Sequence, residues 1–285
     1  MRLFEKDNDE SMSNEERKAV IQVRDLVVRY GDATILDGVS FDVYEGEIFV
    51  ILGGSGCGKS TLLRHIIGLE KPYSGSILID GEDISNAEGD GQARILRKIG
   101  TLFQSGALFG SMTLGENISL SLQEYTDLDP DLIEMIVQMK LGMVNLTGYD
   151  HHLPSEISGG MKKRAGLARA MALDPMIVFC DEPSAGLDPI TSAEIDNLIV
   201  QMNKSLETTF VVVTHELDSI FSIAQRVIML DKSVKNIVAQ GDPHDLKENS
   251  PVPFVRGFFN RQPGGAKNEQ SAIKPSEETH VDASS

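Results

Sequence analysis

At 285 residues the chain is long enough for one large core with an inserted subdomain. Its hydrophobic share of 41% is that of an ordinary globular protein, and its aromatic share of 6% includes no Trp. With 43 acidic against 26 basic residues the formal charge is −17, which disfavours non-specific nucleic-acid binding, so no nucleic-acid partner is expected.

Residues 1–19 are polar and charged, lack the apolar run of a signal peptide, and read as a disordered tail. No uncharged apolar stretch approaches the ~18 residues a bilayer span needs, so a soluble, cytoplasmic chain is expected. Cys57 and Cys180 each lie inside a motif, and a reducing compartment explains them more simply than a disulfide. Val20–Tyr30 and Ile35–Val43 read as strands around a Gly31-Asp32 turn. The continuous apolar run Ile48–Leu52 suits a strand buried on both faces. A glycine-rich loop follows, then a helix with Leu62, Leu63, Ile66 and Ile67 at helical spacing. Asp80-Gly81 is a hairpin-type turn signal. From about Arg94 to Ala172 the pattern is largely helical, with Asp127 or Asp129 offered as the cap of a helix Pro130–Leu141. Strand patterns return at Ile177–Cys180, Phe210–Val213, Val227–Leu230 and Ile237–Ala239, alternating with helices such as Ala193–Met202. The alternation predicts a mostly parallel α/β sheet with a helical insert between its two halves. From about residue 262 onward Gly, Pro, Ser and Glu dominate, and a second disordered tail is expected.

Gly53-Gly54-Ser55-Gly56-Cys57-Gly58-Lys59-Ser60, followed by Thr61, fits G-x-x-x-x-G-K-[ST]. The glycines let the backbone curl so that successive N–H groups face phosphate oxygens. Lys59 places a compact charge on the β and γ phosphates, the Ser60 hydroxyl suits Mg²⁺, and the helix starting here adds its dipole. Cys57 occupies a variable position, as filler or as a reactive thiolate near Lys59. Across the site, the apolar strand Ile177–Cys180 ends in Asp181-Glu182. Asp181 would hold Mg²⁺, through water, and Glu182 would polarise an attacking water.

Between these motifs lies Ile157-Ser158-Gly159-Gly160-Met161-Lys162-Lys163-Arg164, which resembles the LSGGQ signature of ATP-binding-cassette (ABC) proteins. The resemblance spans about residues 20–250. It implies a P-loop NTPase (RecA-like) core, an antiparallel β subdomain and a helical subdomain at about 105–172, working on ATP with Mg²⁺. Tyr30 resembles the aromatic residue that stacks on adenine, and Gln104 the Q-loop residue, with a place among the catalytic and metal-binding groups. Ser184-Ala185-Gly186-Leu187-Asp188 resembles the D-loop, and His215 the switch histidine that contacts the γ-phosphate. Lys59, Gln104, Glu182 and His215 are then the catalytic set. Ser158, Gly159 and Gly160 start a helix, a second anion site. In the family that site faces the γ-phosphate held by another subunit, which implies a homodimer or a pair with a second cassette. His151 and His152 join no motif and read as a solvated loop.

Met161 departs from the common Gln. Met followed by basic residues is similar to the cassette of Mla/Mce-type phospholipid transporters, as are Phe103–Phe109, Gly186–Thr191 and Val255–Phe259. This implies an ATPase subunit, peripheral on the cytoplasmic face of the inner membrane. It would drive phospholipid movement through a separate integral-membrane permease, which meets it near Gln104 and the helical insert. Lipid itself would touch other subunits. Residues 251–261 would form a C-terminal extension, whose Phe254, Val255, Phe258 and Phe259 either cover their own core or reach a partner cassette. The alternatives are a soluble cassette without a permease, such as an assembly scaffold, and a transporter of another cargo.

Overall fold

The computed structural model describes residues 17–261. The tail expected at 262–285 lies outside the described residues; of the one expected at 1–19 only 17–19 are described, and Ala19 already begins the first strand. Ala19–Tyr30 (β1) and Ala33–Tyr44 (β2) form the predicted hairpin. Ile48–Gly53 (β3) is buried at each position and leads through the glycine loop into Lys59–Ile66 (α1). Ser74–Ile79 (β4) and Glu82–Asp83 (β5) return to β1, completing an antiparallel sheet in the order β2-β1-β4-β5. Gly89–Leu96 (α2) and Ile99–Leu102 (β6) follow.

Three helices make the insert: Leu114–Tyr125 (α3), Pro130–Met143 (α4) and Gly159–Ala170 (α5). Thr113 and Glu116 close a reciprocal capping box on α3. Asp129, not Asp127, caps α4: its carboxylate accepts from the Leu132 N–H at 3.1 Å, and Pro130 fills the first helical position. Then come Ile177–Asp181 (β7), Pro189–Leu206 (α6), Thr209–Val213 (β8), Leu217–Ile223 (α7), Arg226–Asp231 (β9), Asn236–Gly241 (β10), Pro243–Asn249 (α8) and Pro253–Phe259 (α9). The second sheet runs β10-β9-β3-β8-β7-β6, parallel except for β10 at its edge. Strand β6 corrects the expectation of a helical pattern from Arg94 onward. It is four residues long, too short for a periodic signal, and exists through its pairing with β7.

Two cores share β3. Ile48, Val50 and Leu52 point into one with the insert, α6 and α9, while Phe49 and Ile51 point into the other with α1 and the antiparallel sheet. The sheets are also joined by Arg226, which grips the buried Glu47 carboxylate through Nε at 3.1 Å and Nη2 at 2.5 Å and donates to the Asp42 carbonyl at 2.6 Å. Val255 and Phe259 of α9 are buried on the chain's own core, with the Phe259 ring 5.6 Å from that of Phe221. Among the described residues, no helix is long and apolar enough to cross a membrane.

Where β6 passes under α5, a Cβ on Gly100 would lie 2.1 Å from the Ala170 carbonyl oxygen. Gly100→Ala is therefore expected to cost about 1–3 kcal/mol through overpacking and to lower Tm by several degrees in a thermal melt. Gly110→Ala, with nothing within 4 Å of its Cβ, serves as the control and leaves Tm unchanged.

Candidate active site

The loop after β3 is shaped by close backbone approach. A side chain on Gly53 would put its Cβ 2.5 Å from the Leu230 carbonyl and 2.6 Å from the Cys57 sulfur. Gly58 takes φ +103° at the N-cap of α1, a left-handed conformation in which glycine carries no steric penalty. That helix has neither a capping side chain nor an acidic residue in its first turn, so its leading N–H groups stay available to an anion. Gly54, Ser55, Gly56 and Ser60 are exposed at the mouth, Lys59 and Thr61 are half-buried, and Cys57 is buried beneath. Lys59 folds back, its ammonium donating to the carbonyls of Gly53 at 2.9 Å and Gly54 at 3.3 Å. Tyr30 ends β1 beside α1 with its ring half exposed and its hydroxyl bonded to Glu70, a contact that raises its pKa.

Strand β7 carries the acidic pair to the same edge. Burial, then the neighbouring Glu182 carboxylate, push Asp181 above the usual carboxylate range, while Arg64, Lys59 and Lys163 pull it back. Glu182 has φ +48°, unusual for a residue with a side chain. Its N–H donates to the Val213 carbonyl at 2.8 Å, and its Oε1 lies 2.7 Å from His215 Nδ1. Its carbonyl accepts from Lys163 Nζ at 2.9 Å. Asp181 Oδ1 and Glu182 Oε2 are buried without a hydrogen-bond partner. Two committed groups and two uncommitted acceptors thus converge at the ends of adjacent parallel strands, where α/β sheets bind ligands.

The remaining motifs lie on the insert and its borders. Gln104 is exposed in a turn closed by the Gly106 N–H on the Phe103 carbonyl at 2.8 Å. Ser158 caps α5, its hydroxyl accepting from the Met161 N–H at 3.3 Å, and Ser158 and Gly159 face solvent. Gly160 is buried: a Cβ there would meet Thr191 Cγ2 at 2.5 Å. Met161 gives its N–H to the cap and packs its side chain on the core, so the turn needs no polar group there. Asp188 ends the Ser184–Asp188 stretch by capping α6, accepting from the N–H groups of Ile190 and Thr191 at 3.0 and 3.1 Å. The structure therefore gathers Lys59, Asp181, Glu182 and His215, sets Tyr30 beside them, and leaves Ser158–Gly160 and Gln104 open to solvent or to another chain. His151 is exposed 3.2 Å from Asp150, and the His152 ring packs on Tyr149.

Lys163 and Arg64 enter the site unannounced. The signal for Lys163 was its place on one helical face with Gly160, Leu167 and Ala170, all of them buried.

Both cysteines are free and buried; burial raises the Cys57 thiol and pushes that of Cys180 up to about 12. Because the thiolate is the reacting form, neither is expected to react appreciably with a disulfide reagent at pH 8 in the folded protein, and both should react once it is unfolded in guanidinium. Rapid release from the native chain would contradict the packing around Gly53.

The ABC transporter family model matches residues 36–185. The chain is 41% identical over 261 residues to the probable ribonucleotide transport ATP-binding protein mkl of Mycobacterium leprae, covering 90% of this chain and 74% of that one. It is 42% identical over 240 residues to the intermembrane phospholipid transport system ATP-binding protein MlaF of Escherichia coli K12, covering 84% and 88%. Among solved structures it matches the dimeric post-hydrolysis ATP-binding cassette MJ0796 bound to ADP and Pi at 30% identity and TM-score 0.71, over 78% of this chain and 98% of that one. It also matches cbiO1 from Clostridium perfringens, part of the ABC transporter complex cbiONQ, at 29% identity and TM-score 0.74, over 84% and 94%. With the phosphate loop, the strand-end carboxylates and the signature helix in one fold, the chain belongs to the ABC transporter family and is one of its ATP-hydrolysing cassettes.

Proposed function

We propose that the chain drives phospholipid movement between membranes as the ATPase subunit of a transporter with a separate integral-membrane permease. The likeness to the phospholipid transport protein of Escherichia coli carries the cargo reading. The loop Gly53–Thr61 and Lys59 would bind the β and γ phosphates, and the half-exposed Tyr30 ring would lie under the adenine. Ser60, Asp181 and Gln104 are the groups for Mg²⁺, and the unpartnered buried Asp181 Oδ1 fits that need. The bound cation would neutralise phosphate charge during transfer. Glu182, held through Oε1 by His215, has Oε2 free to accept a proton from the attacking water. The exposed His215 would reach the γ-phosphate. Ser158–Gly160 would complete the site of a second copy, in a homodimer on the cytoplasmic face of the inner membrane.

A cavity of about 600 Å³ between β6, α3 and α5 supports the permease reading. Leu96, Phe109, Leu120 and Tyr125 present exposed apolar surface there, and Arg169 also lines it. A ribonucleotide cargo is the second reading, favoured by the mycobacterial relative.

Glu182→Gln is expected to keep ATP binding, to trap an ATP-bound dimer and to lower turnover about 10²–10⁴-fold. Brisk turnover in that variant would remove Glu182 from the role of proton acceptor. Purification from detergent-solubilised membranes is expected to bring an integral-membrane subunit and bound phospholipid with the chain. Recovery with no membrane partner would favour the permease-free alternative, and a complex without lipid would favour another cargo.

A further inference from the structure

Glu182 holds a backbone conformation that residues with side chains avoid, φ +48°, and such a residue persists only where its surroundings over-determine it. Three contacts do so. Two come from β8 and the loop after it: the Val213 carbonyl at 2.8 Å and His215 at 2.7 Å. The third comes from α5, where the Lys163 ammonium donates to the Glu182 carbonyl at 2.9 Å. Lys163 is 6% exposed. Burial depresses its pKa, while the carboxylates of Glu182, Asp181 and Glu216 act to keep the cation. A buried lysine serving a single backbone oxygen is an expensive way to fill space.

The same helix is fastened at its far end to the loop carrying Gln104. Arg169 donates to the carbonyls of Ala107 and Gly106, and a Cβ on Gly166 would meet the Gly106 carbonyl oxygen at 3.0 Å. Its first turn is Gly159-Gly160, capped by Ser158. One helix therefore touches the signature turn, the groove loop and the backbone of the strained glutamate.

We infer that Lys163 is a positioning residue for ATP hydrolysis: through the Glu182 carbonyl it ties the aim of that carboxylate to the placement of α5. Displacement of α5, whether by phosphate at Ser158 or by a protein in the cavity beside Arg169, then reaches Glu182 through one ammonium–carbonyl bond. The inference rests on the proposed role of Glu182 as proton acceptor.

The test compares full-length Lys163→Met, which keeps the length and loses the donor, with Lys163→Gln, which keeps a neutral donor, and with Glu182→Gln. Steady-state ATPase activity and binding of a fluorescent ATP analogue are the readouts. Lys163→Met is expected to lower kcat about 10–100-fold, as misplacement of a catalytic group does, with KM and analogue Kd within about twofold of the parent. Lys163→Gln should recover most of the loss. An unchanged kcat in Lys163→Met, a parallel change in kcat and KM, or a Gln variant no better than Met would overturn the inference. If the Met variant does not fold, Lys163→Ala takes its place under the same criteria. Glu182→Gln separates the two ideas: activity there sinks the underlying role of Glu182, whereas its inactivity beside a fully active Lys163→Met sinks only the role of Lys163.

Discussion

The burial of β3 on both faces is the constraint on which the molecule depends. Its side chains alternate between two cores, so a slip of one residue would send Phe49 and Ile51 into the space built for Ile48, Val50 and Leu52. The strand therefore ends at one place, with Gly53 pressed against the Leu230 carbonyl, and the phosphate loop starts from a fixed point. Strand β8 runs parallel beside it and β7 parallel beside β8, so Asp181, Glu182 and His215 arrive at the same edge. The site is the shared end of a register that hydrophobic packing enforces.

What that edge holds is electrostatically costly. Two adjacent carboxylates share this edge: burial, then the charge of Glu182, raises the proton affinity of Asp181, with Arg64, Lys59 and Lys163 opposing the effect. Such an arrangement persists because the sheet behind it is anchored elsewhere. The Glu47–Arg226 pair contributes to the anchoring, less as net stability than as a directional fastener between the two sheets. It fastens the antiparallel sheet to the parallel one, while Tyr30, at the end of β1, is held by its own bond to Glu70.

Much of this was legible in the chain because phosphate chemistry demands particular residue types at particular spacings. A loop that must curl around anions needs glycine, and a cation site needs oxygen ligands at a strand end. The buried run Ile48–Leu52 was equally plain, since a strand covered on both faces leaves no polar position. Strand β6 was not, because four residues including Gly100 take their conformation from β7, a partner distant in sequence. Lys163 was visible as a letter of the signature motif but not as a contact, because its partner is a backbone oxygen, which any residue could have supplied. The aromatic cluster of α9 left two destinations open; the fold buries Val255 and Phe259 against Phe221 and the core, while the partly buried Phe254 and Phe258 lie at its margin.

The absence of a side chain at Gly100 has a mechanical meaning. It lets the C-terminal end of α5 rest backbone to backbone on β6, while at the other end Ser158 and Gly159 face solvent and Gly160 packs on the Thr191 side chain. A rod seated on backbone at one end and on side chains at the other turns most readily about the backbone seat. Twelve residues of helix at about 1.5 Å each make an arm of about 18 Å. A tilt of about 10° at the fulcrum carries the tip about 3 Å, the span of one hydrogen bond. A tilt of that size would be enough to make or break the phosphate contact proposed for Ser158.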